Sequence, residues 1–302
     1  MAQKLIDLLT QHPTWVGDLF PVAFGKCNDN FTELYAALAA VAAVGGKNML
    51  INCGLPINQR VFAGGALAAG AYGYDRWKAG AGGCNVTINA TTGVFTHTSG
   101  PLQQIVEAPV LAWGQPLTIS VENPSGNISV SVGGATGTIP SGTGRRGVTL
   151  TPSGSGNMTV QLTATGVTYS RPQLERGSAA TAFDARPVAA ELAMCQRYYE
   201  KSYPMSVAPG VAQQLGRRGG GQAGLSGSAM YFVQPYLVQK RAVPVLNIYN
   251  PSNGAGGGVG NDAGTTVVTQ LPYSSDSAFE LNWTNAAGRW GGWFHYVADA
   301  EL

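Results

Sequence analysis

The chain has 302 residues, of which 42 are glycine and only 11% are charged, while 44% are apolar. This composition predicts a folded, mainly β protein with many turns and argues against a disordered chain. Basic residues exceed acidic ones only by 18 to 16, which disfavours binding to nucleic acid or to an anionic membrane surface.

Residues 1–20 carry apolar side chains that have no obvious core of their own. A short apolar helix is cut off by a His-Pro pair, and Trp15, Leu19 and Phe20 then precede a second proline. The pattern suits either a lid over a neighbouring domain or a plug that inserts into a partner. A Trp- and Phe-bearing segment without a core favours the plug, so we interpret these three residues as an anchor.

A helix is predicted next, with apolar residues at the 3-4-3-4-3 spacing of a coiled coil. The a and d positions are Phe24, Cys27, Phe31, Leu34, Leu38 and Val41. Gly45 and Gly46 end the helix. The same spacing would suit a helix packed on its own domain. Because a helix of ~20 residues is marginal alone in water, we expect a parallel trimeric stem supported by its neighbours. Anchor and stem together make up residues 1–46.

Period-two alternation of apolar and polar residues begins after residue 47 and predicts half-buried strands of antiparallel sheets. It is clearest at 117–122, 128–132 and 158–163. Clusters of Gly, Pro, Asn and Ser separate these strands at intervals typical of a two-sheet sandwich. We assign residues 47–186 to this sandwich and call them the first module.

Residues 187–302, here called the C-terminal module, are predicted to begin with a linker helix at 187–201 and to continue as β structure. The predicted strands are 230–238, 243–249, 265–271, 278–284 and 292–298. Five strands are enough for a second small sandwich but leave poorly protected edges. Such a unit commonly hides its edges against copies of itself.

Targeting signals are not evident. No Lys- or Arg-led hydrophobic segment opens the chain, and the longest apolar run, 36–44, is far shorter than the ~20 residues of a membrane span. We therefore expect synthesis in a cytoplasm, reduced cysteines and no membrane insertion.

Several segments together resemble tail fibre and receptor-binding proteins of tailed bacteriophages. Residues 23–35 (AFGKCNDNFTELY) resemble the segment that heads many phage appendage proteins. Residues 48–54, 57–60 and 74–77 resemble the opening of a carbohydrate-binding-module-like jelly roll in such proteins, and 172–183 (PQLERGSAATAF) its end. Residues 195–201 and 296–302 resemble the C-terminal β knob that follows it.

The resemblance implies a homotrimeric appendage of the virion, made in the host cytoplasm. Its N-terminus would be fixed to other virion proteins and its C-terminal module would face the host. Carbohydrate-binding modules often carry a structural calcium ion. However, Cys53 stands where the relatives usually have Gly-Asp or Gly-Asn, and no Asp-x-Asp string supports an ion. We expect no metal and no cofactor.

Candidate receptor-binding residues are aromatic and polar side chains in predicted loops, because flat rings stack on sugars and polar groups bind their hydroxyls. They are Trp290, Arg289, Asn285, Trp113, Arg217 and Arg218. Trp290 lies in a turn-forming segment, and the two arginines lie in a Gly-rich loop suited to an anionic glycan. Each tryptophan also has a structural interpretation. For Trp77 in particular, the resemblance implies a position in the core of the first module.

Catalysis is the weakest prediction from the sequence. Glycosidases need two carboxylates ~5–9.5 Å apart, whereas the acidic residues here are scattered singly. The three histidines are isolated, and neither a Gly-x-Ser-x-Gly elbow nor a Cys-x-x-Cys pair occurs. The predicted function is therefore non-catalytic attachment to a cell-surface glycan or protein. The alternative is a structural decoration protein of the phage head or collar, and a polysaccharide depolymerase ranks third.

Overall fold

The computed structural model describes residues 10, 13, 19–41, 47–220, 229–286 and 288–302, with the side chains of 34–41 and 272 left out. Trp15 and the predicted short helix before it lie outside the described residues. The side chains of Leu34, Leu38 and Val41 do so as well.

Helix α1 spans Phe20–Val41 and so includes the six predicted a and d positions, while the predicted helix end at Gly45 and Gly46 lies outside the described residues. A proline at its second residue is tolerated because the first turn of a helix leaves its N–H groups without intrahelical partners. The side chains of Phe24 and Phe31 are 53% and 57% exposed in the single chain. The anchor residues Leu19 and Phe20 are also exposed, and the Phe20 ring lies 4.4 Å from that of Phe24.

The first module contains two antiparallel sheets that enclose one apolar core. Its strands are β1 (Gly65–Leu67), β2 (Lys78–Ala79), β3 (Cys84–Ile88), β4 (Val94–Ser99), β5 (Pro101–Val106), β6 (Leu117–Glu122), β7 (Ile128–Val132), β8 (Ala135–Ile139), β9 (Arg145–Leu150), β10 (Met158–Thr163) and β11 (Val167–Arg176). One sheet has the order β1-β3-β4-β11-β6-β9 and the other β2-β5-β10-β7-β8. Trp77 is buried between them against Phe95, and its Nε1 donates a hydrogen bond to the carbonyl of Asn52.

The C-terminal module begins with helix α2 (Val188–Gln196) and is otherwise β. Its strands are β12 (Tyr199–Lys201), β13 (Arg218–Gly220), β14 (Ala229–Pro235), β15 (Val245–Tyr249), β16 (Gly258–Gly260), β17 (Thr266–Val268), β18 (Gln270–Ser274), β19 (Ala278–Thr284) and β20 (Gly292–Asp299). The single strand predicted at 265–271 is divided between β17 and β18. The prediction of a mainly β fold built of several sheets is confirmed.

Strand β20 is the centre of this module, since it pairs with β12, β13, β15 and β16. One of its faces, with Phe294 and Tyr296, packs into an apolar core against the sheet β14-β19-β18. Its other face is also covered, because His295 is fully buried and stacks on Tyr203. The alternation of β20 therefore separates two buried environments rather than a core from solvent.

A buried junction joins the two modules. Cys195 and Tyr198, at the end of α2, pack on Ile51 and Ile57 of the first module. The contact explains why the segment predicted as a linker helix is partly buried.

Charged groups complete the junction from the last residues of the chain. Arg76 pairs with Glu301. Arg60 lies 3.5 Å from Asp75 and 3.4 Å from Asp299. Side chains of the first module thus hold the last residue of β20 and Glu301, which follows it.

Candidate ligand-binding surface

Five of the six predicted receptor-binding residues, all except Trp113, lie close together at one end of the C-terminal module, in and around the loop between β19 and β20. Trp290 is 45% exposed there, and its ring packs edge to face on Trp293, with 5.6 Å between the centroids. Gly291 between them has φ 76°, and a Cβ on it would come within 2.5 Å of the Trp293 ring. Only glycine therefore allows the loop to bring the two indoles together.

Asp262 ties this loop to the loop after β16. Its Oδ1 accepts a hydrogen bond from the backbone N–H of Trp290 at 3.3 Å, and its own N–H donates to the Trp290 carbonyl at 3.1 Å. Its Oδ2 lies 3.6 Å from Nη1 of Arg289. The guanidinium of Arg289 remains about half exposed beside the indole. The backbone of Trp290 is thus held in place while its side chain faces solvent.

Arg217 extends the surface on the other side of the indole pair. Its guanidinium carbon lies 4.8 Å from the centroid of the Trp293 ring, a cation–π geometry, and its Nη1 bonds to Gln214. Arg218 is the first residue of β13 and is paired in register with Phe294. The segment predicted as a mobile basic loop is therefore partly a strand, because the open edge of β20 gives its backbone hydrogen-bonding partners. We call Trp290, Trp293, Arg289, Arg217 and Asp262 the tryptophan surface.

Asn285 and Trp113 have positions that differ from the sequence interpretation. Asn285 is only 7% exposed, and its Nδ2 donates to the Gly291 carbonyl at 2.9 Å. It shapes the loop from inside and is withdrawn from any ligand. Trp113 lies in the first module, half-buried, where its Nε1 donates to the Gly156 carbonyl at 3.0 Å. Its ring fills the space beside Gly133, so it joins two loops of the sandwich.

The tryptophan surface offers two cations, one carboxylate and one exposed indole on a rigid support. Beneath it, burial lowers the pKa of His295, with smaller contributions from Arg218 and Arg217. The neutral ring bonds Ser202 at 2.9 Å and the Gln213 carbonyl at 2.8 Å. Such a surface can stack on an apolar ligand face and bind hydroxyl or anionic groups.

Asp262 and Trp293 could not be identified as parts of this surface from the sequence alone. Asp262 is 28 positions from Trp290 and lies in a Gly-rich loop, so only the folded chain reveals their contact. Trp293 lies in a segment rich in aromatic residues and glycine, which suits a binding surface. However, the alternation of residues along β20 does not show which face of the strand lies near an exposed loop.

Two absences bear on other functions. Among the residues that the structure describes, no three His, Cys, Asp or Glu side chains come together in a way that could hold a metal ion. Neither α1 nor α2, the helices within the described ranges, has the length and apolar character needed to cross a membrane.

No protein-family model and no curated protein matches this sequence. Among solved structures, the chain is similar to a cycloisomaltooligosaccharide glucanotransferase of Paenibacillus sp., complexed with cycloisomaltoheptaose, with 10% identity and a TM-score of 0.23. The match covers 80% of this chain and 47% of the other, so this chain spans about half of the enzyme's length. A similarity this low does not indicate a shared fold or function.

Proposed function

We propose that this protein is a subunit of a bacteriophage tail fibre-like appendage, located in the virion. In this proposal it attaches without catalysis to a glycan or protein of the host surface. The observation that carries the proposal is the exposed Trp290, whose backbone is held by Asp262 and whose ring packs on Trp293, with Arg289 paired to Asp262 and Arg217 over the Trp293 ring. An aromatic ring that is fixed in place loses little conformational freedom when a ligand binds to it.

Three carboxylates of the C-terminal module are engaged by other groups, which favours binding over hydrolysis. Glu200 is buried in an ion pair with Lys240, and Asp262 is engaged by Arg289 and the Trp290 backbone. Asp299 faces Arg60 at the junction. None of the three stands as a free acid opposite a second one, as a glycosidase would need.

Self-association through α1 is the second part of the proposal. Phe24 and Phe31 occupy a or d positions and are more than half exposed in the single chain, and a second and third copy would cover them. A parallel trimer would present three tryptophan surfaces on one stalk, with a jelly roll between stem and knob. Three weak sites then act together with an avidity that one site lacks. Leu19, Phe20 and Trp15 would anchor the stalk to the particle.

Replacing Trp290 by alanine is expected to weaken attachment by about tenfold or more per site, because an anchoring tryptophan is typically worth more than 1 kcal/mol. Glycan-array binding and adsorption of the purified protein to host cells measure the effect. Tyr273→Ala is the matched control. It removes an aromatic ring that is even more exposed, but on β18 in the other sheet.

Unchanged binding of the Trp290→Ala protein, or an equal loss in the Tyr273→Ala protein, would contradict the assignment of this surface. If the intact assembly binds no host envelope at all, a bracing protein of the head or collar becomes the better interpretation. Release of reducing ends from host polysaccharide would instead indicate an enzyme.

Replacing both Phe31 and Leu34 by aspartate is expected to abolish assembly, because each chain would then place two charges in the apolar interface between the stem helices. Light scattering should give a mass near three chains for the unchanged protein and near one chain for the double variant. The Trp290→Ala protein should stay assembled. A monomer of the unchanged protein at micromolar concentration would remove the stem from the proposal.

A further inference from the structure

A well-defined cavity lies where the six-stranded sheet of the first module meets α2, remote in sequence from the tryptophan surface. Its volume is about 540 Å³. The lining includes Leu55, Glu122, Arg171, Phe183, Arg186 and Val188. This size is within the range of small-molecule sites, and the mixture of apolar and charged groups is typical of them.

Arg171 reaches the cavity through an irregularity in β11. The register between β11 and β6 shifts between Ser170 and Gln173, and Arg171 within the shift has φ 51°. A non-glycine residue in this left-handed region carries a conformational cost. The side chain is 53% exposed, and its Nη1 donates to Oε2 of Glu122 at 2.7 Å. Its other guanidinium nitrogens have no hydrogen-bond partner among the described residues.

Arg145 adds a second cation behind the cavity wall. It lies directly opposite Glu122 in the β6–β9 register, and its Nη1 bonds Oε1 of Glu122 at 3.4 Å and the Arg171 carbonyl at 3.1 Å. Its Nε and Nη2 are buried and bond to nothing in residues 47–220 or the other described ranges. Burial lowers the pKa of this guanidinium. Two guanidinium groups thus share Glu122 as their ion-pair partner among the described residues, and Glu175 acts on Arg145 only at longer range, so the half-exposed Arg171 is only partly neutralised.

Arg186, another residue of the cavity lining, has the reverse balance of charge. Arg186 lies between two acids, with Glu191 at 2.8 Å and Asp184 at 3.8 Å. It also donates to the Leu50 carbonyl at 3.2 Å. The guanidinium of Arg186 is therefore already neutralised, whereas that of Arg171 is not fully so. A ligand with a single acidic group would therefore place that group at Arg171 rather than at Arg186.

Phe183 provides an apolar part of the cavity wall. The guanidinium carbons of Arg145 and Arg171 lie 5.7 and 6.0 Å from its ring centroid. Leu55 and Val188, both more than half exposed, flank the same space. A ring next to cations and exposed aliphatic groups suits a ligand with one apolar face and one charged substituent.

We propose that this cavity binds a carboxylate-bearing sugar, with the carboxylate on Arg171, the apolar face of the sugar ring against Phe183, and hydroxyl groups toward Glu191. A planar guanidinium can bind a carboxylate through two parallel hydrogen bonds, and one of its nitrogens is already fixed by Glu122. The site goes beyond the tryptophan surface and does not depend on it. It gives the cavity between the first module and α2 a ligand of its own.

The test is titration calorimetry of the full chain with glucuronic acid, galacturonic acid and N-acetylneuraminic acid, as monosaccharides and short oligosaccharides. Glucose and galactose forms of equal length are the neutral probes. At least one acidic sugar should bind in the millimolar range or tighter and outcompete its neutral counterpart. Arg171→Gln should weaken that binding about 10- to 100-fold, because a hydrogen bond between charged groups is lost.

Arg176→Gln is the matched control. It removes the same charge from the same strand, at an exposed position outside the cavity. Phe183→Leu should weaken acidic and neutral sugars alike. Trp290→Ala should change neither, which separates this proposal from the one on the tryptophan surface. Each variant is checked for an unchanged unfolding temperature.

Three results would overturn the proposal. They are no binding of any acidic probe, equal binding of acidic and neutral probes, and binding that Arg171→Gln leaves intact in a folded protein.

Discussion

Glu301→Gln is expected to lower the free energy of unfolding by about 3 kcal/mol, because it removes the charge partner of a buried arginine. Arg76 is 1% exposed, and its Nη1 pairs with Oε2 of Glu301. Its guanidinium carbon lies 3.5 Å from the centroid of the Tyr198 ring, and Nη2 donates to the Ile105 carbonyl at 2.5 Å. Without the carboxylate, this charge stays buried at the junction. A glutamine oxygen restores only part of the contact.

Glu107→Gln is the control for this prediction. Glu107 also bridges the two modules, through Arg197 at 3.1 Å, but that pair is partly exposed and should contribute no more than about 1 kcal/mol. Urea unfolding followed by tryptophan fluorescence and circular dichroism measures both variants. If both variants lowered the free energy of unfolding by the same amount, the buried pair would contribute no more to stability than the partly exposed one.

The free energy of unfolding is also expected to decrease as the pH rises through 6, because of Asp75. Burial raises the pKa of this fully buried carboxyl from 3.8 to about 6, although Arg60 and two hydrogen bonds from Gln59 lower it. Between these values the folded chain keeps a proton that the unfolded chain has released. The stabilisation is therefore complete below about pH 4 and is lost as the pH rises through 6, with a total of about 3 kcal/mol.

Asp75→Asn removes this titration and supplies the comparison. Between about pH 5 and 7.5 the unchanged protein should lose roughly 1 to 1.5 kcal/mol that the variant does not lose. Urea unfolding at several pH values gives the slope of the free energy of unfolding against pH for each protein. The contributions of the other titrating groups are common to both proteins and are removed when the two slopes are subtracted. Parallel slopes would show that Asp75 keeps an ordinary pKa in the folded chain.

The strands of both modules were predictable where one face meets an apolar core. Alternation located β6, β7, β10 and β19 with the bounds that the structure has. It failed where local pattern does not decide the structure. β13 contains two glycines and forms only because β20 presents an open edge, and β17 and β18 divide one apolar run.

The candidate sites depended still more on contacts between distant residues. The turn around Trp290 could be identified from its glycines, and the exposed indole agrees with that interpretation. Asn285 has the same local composition, yet its amide points inward to close the loop. The Arg76–Glu301 pair joins residues 225 positions apart, and Arg171 reaches Glu122 across 49, so no sequence window contains either contact.

The central position of β20 has a consequence for the way the chain folds. β20 follows every strand with which it pairs in the order of the chain, and Asp299 is the partner of Tyr199. During synthesis, β12, β13, β15 and β16 therefore leave the ribosome with open edges and wait for their common neighbour. Pairings between such distant segments form slowly, and unpaired edges favour aggregation in the meantime. Maturation of the C-terminal module is thus the step at which a nascent chain most needs protection by chaperones.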